Sequence, residues 1–308
     1  MKPSSSAVPA EERGASGRDP ARSVLRFAAG IAVLGILLLF LMIIAFALPV
    51  FTEQSAGGSF SRIWAPGQGQ FGIQAMIAGS LVLALSALCI GWPFGLVLCC
   101  WLFCPVNGQS GFARSARSIV GFLVRIMTAI PTVVYGFAAV FLLTPLVRET
   151  VGGTGFCWLS AALMLAVLIL PTIVLLLSAG LAPRLERLLP GGLALGFTRM
   201  DLMWFFVLPE AKKTLFSSLV LGFGRAVGDT LIPLMLAGNA PQMPYACSAG
   251  LRTLTAHMAM VTSNEVGGAA YNSLFMAGAL LLLINALVSL CACRLECSSR
   301  QERKGGRR

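Results

Sequence analysis

Charge is what this chain of 308 residues has least of. Only 11% of it is Asp, Glu, Lys or Arg, against about 25% in a soluble globular protein. With 57% apolar residues and a mean hydropathy of +0.84, a wet folded surface is excluded, and the bilayer becomes the first solvent to consider. Histidine occurs once, as His257. No acid–base or nucleophile cluster falls at membrane depth, which argues against an intramembrane enzyme. The glycine-rich stretches "GGTG" (Gly152–Gly155) and "GFGRAVG" (Gly222–Gly228) lack the following Lys-Ser/Thr of a phosphate-cradling loop. The chain is therefore not expected to hydrolyse ATP or to bind a cofactor itself.

What the sequence does have is long apolar runs. A helix needs about 20 apolar residues to cross a membrane. Six runs qualify: Val24–Val50, Phe71–Phe103, Ile119–Leu146, Leu159–Leu181, Leu215–Ala237 and Ala270–Cys293. The second exceeds one simple span, and Gly91 and Pro93 are able to bend it. The expected fold class is all-α, a polytopic membrane protein of six transmembrane helices. The first run follows about 23 polar residues and has a longer core than a signal-peptide h-region, so it reads as a span. The tail 1–22 has the composition of a disordered segment.

The net charge of +11 reads as topology rather than as a nucleic-acid surface. Eighteen of the 23 Lys and Arg fall in the tails and in the second–third and fourth–fifth connections, and only Arg62, Arg148 and Arg252 on the other side. The positive-inside rule then places both termini in the cytoplasm. Arg125 and Arg225 remain, inside expected spans. Of the nine cysteines, Cys89, Cys99, Cys100, Cys291 and Cys293 lie in apolar runs as small hydrophobes, and no metal site is expected. Cys157 and Cys247 fall on the same outer side, which leaves a disulfide between them open.

One connection is long: Ala182–Lys213, basic and amphipathic in parts. Pro190 is expected to end a helix there, with a short helix following before Pro209. Two readings fit, an interfacial helix on the lipid surface or a docking element presenting Leu195, Phe197, Met200, Met203 and Trp204 to a cytoplasmic partner.

The segment "LALGFTRMDLMWFFVLP" resembles the cytoplasmic signature of ABC importer permeases. Gly196 stands at the signature glycine, and Leu208 and Pro209 at its Leu-Pro. Phe206 replaces the usual Ile, and Pro190, Gly191 and Gly192 replace Glu-Ala-Ala. Six further blocks, in order from Trp64 to Ala259, are similar to phosphate-specific permeases of the PstC/PstA type: "WAPGQGQFGIQAMIAGSL", "AIPTVVYGF", "LILPTI", "GRAVGDT", "MLAGNAPQMP" and "RTLTAHMA". The first two favour the PstC half slightly. Asp229 stands where that family typically has Glu, and His257 where Asn is common.

The resemblance implies an ABC importer permease fold with a cytoplasmic coupling helix, the permease core covering 71–293. Before it come the tail 1–22 and the segment 23–70 with the first helix and an external loop; after it comes the basic tail 294–308. It implies half of a path for inorganic phosphate, with ATP used by a separate chain. The partners would be a homologous permease, two ATPase subunits, an extracytoplasmic phosphate-binding protein and membrane lipid, in a bacterial inner membrane. The same architecture with another oxyanion (phosphonate, sulfate or molybdate), or a component mainly signalling phosphate status, stays open.

An oxyanion crossing hydrocarbon needs donors and cations. Arg225 lies 13 residues beyond Lys212, about 20 Å along a helix and so near mid-membrane. Asp229, four residues on, would share its face as a counter-charge. The alternative is a helix–helix lock. Arg125 reads equally as a second path cation or as a side chain reaching back to the cytoplasmic headgroups. Thr132 and Tyr135 are donors beside Pro131 and Gly136, or mark a packing kink. Asn239, Arg252 and His257 would form the external entrance. Leu195, Gly196, Phe197, Met200, Trp204, Leu208 and Pro209 would face the ATPase.

Overall fold

In hydrocarbon every backbone N–H and C=O must be satisfied within the protein, so long apolar runs become helices. The computed structural model describes residues 20–53, 63–66, 70–104, 111–264 and 269–305, and these are helical apart from one small hairpin and the connecting loops. The tail expected over 1–22 lies outside the described residues as far as residue 19. Helix α1 spans Pro20–Glu53. Strands β1 (Trp64–Ala65) and β2 (Gln70–Phe71) pair antiparallel, Trp64 opposite Phe71. Then follow α2 (Gln74–Phe103), α3 (Gly111–Met127), α4 (Thr132–Val151) and α5 (Trp158–Ala194). Next come α6 (Arg199–Asp201), a π-helical turn (Leu202–Val207) and α7 (Leu208–Glu210). The last four are α8 (Lys212–Gly228), α9 (Leu231–Leu236), α10 (Leu254–Asn264) and α11 (Ala269–Gly305). The chain divides into two units, Met1–Ala45 and Phe46–Arg308.

Five helices among the described residues are long and apolar enough to cross a membrane, where the sequence suggested six: Val24–Ala47, Gln74–Phe103, Thr132–Val151, Trp158–Ala194 and Ser273–Arg294. Two expected spans are broken. The run Ile119–Leu146 stops at Met127 and restarts at Thr132, because Pro131 cannot continue a helix and constrains Ile130 before it. The run Leu215–Ala237 stops at Gly228, and Asp229 turns extended (φ −73°, ψ 133°). The opposite correction applies to Pro190. It does not end its helix; α5 runs through Pro171, Pro183 and Pro190 to Ala194. Likewise α2 passes through Pro93 unbroken.

Between lipid-bathed helices the hydrophobic effect offers little, so close packing of small residues has to hold them. Helix α2 carries such a stripe, Ala84, Ala87, Gly91 and Gly95, all buried. A Cβ at Gly95 would lie 2.8 Å from Ile173 Cγ2 of α5, and one at Gly91 3.0 Å from the Ala166 carbonyl oxygen. Leu165, Ile169, Ile173, Leu177 and Leu181 of α5 fill the core that results. Polar groups lock it: Trp92 Nε1 donates to Ser218 Oγ of α8 at 2.9 Å, and Trp158 Nε1 to Ser86 Oγ of α2 at 2.9 Å.

Helices α8 and α10 both pack along α11. Leu254 of α10 clusters with Met276 and Ala277 near the start of α11, whereas Gly224 of α8 approaches Val288 further along. The end of α8 and the start of α10 are joined by Thr255 Oγ1 donating to the Asp229 carbonyl at 2.9 Å. The two lie in series, with 229–253 as an excursion between them. Cys157 and Cys247 are both free, one buried and one exposed, so the disulfide left open by the sequence is not formed.

Candidate functional site

The breaks in α3–α4 and α8–α9 bring together the residues of interest. Arg225 occupies the last turn of α8, where its cation complements the carbonyl end of the helix. Its side chain is exposed on the subunit surface. It lies within electrostatic reach of both the Asp229 carboxyl and the Tyr135 hydroxyl. Asp229 is not on the helical face that its spacing from Arg225 implied, and the two form no direct ion pair. Its Oδ2 instead accepts the Ile232 backbone N–H at 2.9 Å, capping the start of α9. Tyr135 is buried and its hydroxyl donates to the Met127 carbonyl at 2.7 Å, closing the gap between α3 and α4. Thr132 opens α4, half-buried. Gly136 lets Met235 of α9 approach, since a Cβ there would lie 2.6 Å from Met235 Sδ. Arg125 ends α3 and lines a different hollow, with Arg117 and Ser178.

The three residues assigned to the entrance divide. Arg252 Nε donates to the Asn239 carbonyl at 2.9 Å, and Asn239 Nδ2 to the Leu234 carbonyl at 2.6 Å. Asn239 takes a left-handed backbone (φ 52°) beside the bridge between Gly238 and Leu251. These two residues therefore set the path of the excursion. His257 is fully buried, edge-on to Trp64 at 4.4 Å with Ser273 Oγ 3.4 Å from Nε2.

The segment after α5 is built by two local motifs. Gly196 has φ +84°. Its N–H donates to the Leu193 carbonyl and the Phe197 N–H to the Gly192 carbonyl, a Schellman closure that favours glycine at this position. Thr198 and Asp201 then form a capping box: Asp201 N–H donates to Thr198 Oγ1 at 3.2 Å, and Thr198 N–H to Asp201 Oδ2 at 2.9 Å. The Thr198 hydroxyl and N–H hold the Asp201 carboxyl below its ordinary pKa. Leu195 (79% exposed), Phe197, Met200, Trp204, Phe205 (71%) and Phe206 present an apolar surface. Gly196 and Pro209 are exposed with them, and Leu208 is half-buried. Met203, expected on that surface, is fully buried. Glu210, which sequence reasoning missed, binds Arg187 (3.1 Å) and Arg184 (3.9 Å), tying α7 to the end of α5.

Residues 108–296 match the family described as "Binding-protein-dependent transport system inner membrane component". A probable ABC transporter permease protein, YqgH, of Bacillus subtilis (strain 168) is 29% identical over 228 residues, 72% of this chain and 70% of that protein. The phosphate transport system permease protein PstC of Haemophilus influenzae is 26% identical over 273 residues, 81% of this chain and 84% of that protein. An inward-facing structure of the MetNI methionine ABC transporter superposes with a TM-score of 0.56 at 20% identity. It covers 76% of this chain and 97% of its own, and so shows the fold alone. The chain belongs to the binding-protein-dependent transport system inner membrane components: it is a multi-span permease component of an ABC-type transporter, a non-catalytic subunit that relies on a separate ATPase.

Proposed function

We propose that the chain is the permease subunit of an ATP-driven phosphate importer and forms half of the path for inorganic phosphate, most like the PstC half. The observation that carries this reading is an exposed Arg225 where broken helices meet, with Asp229 and Tyr135 nearby and no direct ion pair satisfying it among the described residues. A planar guanidinium suits paired contacts to phosphate oxygens. The carbonyl end of α8 and the Asp229 carboxylate lower the cost of keeping it charged between transport events. Helices broken at depth put backbone ends beside a path without exposing them to lipid. Similarity to the Haemophilus phosphate permease supports phosphate as the anion.

In this reading α8 and α10 together make one crossing. Their 17 and 11 residues span about 42 Å as two stacked helices. Thr132 lies beside the path, and Asn239 and Arg252 shape its external mouth, where a phosphate-binding protein delivers its load; His257 supports that mouth from behind. Leu195, Gly196, Phe197, Met200, Trp204, Leu208 and Pro209 form the coupling surface. The complex holds a homologous permease and two ATPase subunits, in a bacterial inner membrane with both termini cytoplasmic. ATP-driven closure of the ATPases moves the coupling segments and alternates access.

The test is uptake of labelled phosphate in a strain lacking this chain. Wild type restores it. Arg225→Met abolishes it while the four-subunit membrane complex still co-purifies. Normal uptake by Arg225→Met would sink the assignment of Arg225. Competition by excess sulfate, molybdate or phosphonate as strong as that by phosphate would instead overturn the choice of anion.

A further inference from the structure

A hollow of about 420 Å³ opens between the end of α2, one face of α3 and the inner half of α5, and shares no lining residue with the Arg225 cluster. Its cause is local. Arg117, Gly121 and Arg125 follow at intervals of four along α3 and so share one face. The missing side chain at Gly121, whose Cβ would meet only Leu102 Cδ2 at 3.8 Å, leaves a space between the two arginines. Leu102, Phe122 and Leu175 contribute apolar walls, and Ser178 adds a hydroxyl.

Neither cation has a counter-charge among the described residues. Arg117 is held in place, its guanidinium 5.4 Å from the centre of the Trp101 ring and one NH2 3.4 Å from the Cys104 carbonyl. Its Nε is buried with no hydrogen-bond partner among the described residues. Arg125 meets no acceptor among the described residues, and no Asp or Glu lines the hollow. Ser178 lies 20 residues along α5 from Trp158, about 30 Å, the thickness of the hydrocarbon core. The hollow therefore sits near a membrane boundary, on the side of Arg184 and Arg187 rather than of the outer loops. Beside it, Phe122 and Leu123 are exposed on α3, as lipid-facing side chains are.

We propose that this hollow binds the phosphodiester headgroup of an anionic phospholipid, between Arg117 and Arg125, with an acyl chain against Leu102, Phe122 and Leu175. Two guanidiniums with no carboxylate partner among the described residues favour an anion. The apolar walls select one that carries a hydrocarbon chain, which inorganic phosphate does not. Arg125 thereby serves lipid rather than the permeant ion. The bound lipid bridges α3 to α2 and α5, and the proposal stands whatever solute the path carries.

The test is native mass spectrometry of the full chain in detergent with added phosphatidylglycerol or phosphatidylcholine. Wild type should retain phosphatidylglycerol in preference. Arg117→Gln and Arg125→Gln should each cut that preference roughly fivefold, the effect expected per arginine at a membrane surface. Gly121→Leu removes no charge but fills the hollow, and should also abolish the preference. It decides the matter if Arg117→Gln fails to fold, as thermal unfolding will show. Equal retention of the two lipids by wild type, or an unchanged preference in Gly121→Leu, overturns the proposal. So does displacement of phosphatidylglycerol by millimolar inorganic phosphate, which would make the hollow a solute site.

Discussion

Asp229 carries two roles that a single substitution can separate. Its carboxylate caps α9 through the Ile232 N–H, and its charge acts on Arg225. Asparagine keeps an oxygen that can accept the Ile232 N–H and removes the charge. Alanine removes both. Loss of an N-terminal cap costs about 0.5–2 kcal/mol. Asp229→Asn is therefore expected to unfold thermally close to wild type, while Asp229→Ala unfolds several degrees lower. If the charge also tunes Arg225, uptake falls in both variants. Uptake that follows only the thermal stability would reduce Asp229 to a structural cap. The shortening from the family's usual Glu fits the capping geometry, because the carboxylate has only to reach a backbone N–H three residues on.

The elements were legible where periodicity and length decide them, and not where a single side chain redirects the backbone. Helices α2 and α5 follow from apolar runs, and Gly196 takes the positive φ that favours glycine. Spacing alone put Arg225 and Asp229 on one helical face. The stretch "GDTLIP" (Gly228–Pro233) nevertheless carries a helix-start signal, an Asp–Thr pair shortly before a proline. Similarly, "TRMD" (Thr198–Asp201) is a capping box in sequence, with Asp in the place of Glu. The two-residue strands are too short to leave a period. Pro190 was misread because proline is disfavoured inside a helix but not excluded, and α5 continues through it to Ala194. The proposed coupling segment offers a test at this scale. Gly196→Ala places a Cβ in the left-handed region at a cost of about 1–2 kcal/mol, and turns the apolar surface of Leu195 and Phe197 away from its present direction. Assembled complexes carrying it should show weaker ATPase association on purification and lower uptake, with the permease itself still inserted. Unchanged association would argue that this surface does not dock the ATPase.

Across the whole molecule, the stacked pair of α8 and α10 depends on α2. Ser80 Oγ of α2 accepts the Leu254 N–H at 2.8 Å, and Thr253 Oγ1 accepts the Ala256 N–H at 3.2 Å, so the first turn of α10 is capped partly from another helix. Gly79, one residue earlier, leaves room for the Arg252 carbonyl oxygen, which any Cβ there would strike. The excursion 229–253 thus re-enters the bundle at one point, where α2 provides both the space and the hydrogen bond. Ser80→Ala strands a buried N–H, at a cost of about 1–3 kcal/mol. Gly79→Ala forces backbone apart and should cost more. Both are expected to lower the thermal unfolding temperature in nanodiscs in that order. Both should also reduce uptake beyond the loss of folded protein, because Thr255 links the same turn to the Asp229 carbonyl and hence to the end of α8 that bears Arg225. Normalising uptake to correctly inserted permease separates the two effects. If the normalised rate stays at the wild-type value in Gly79→Ala, the re-entry point holds the fold together without setting the geometry of the path.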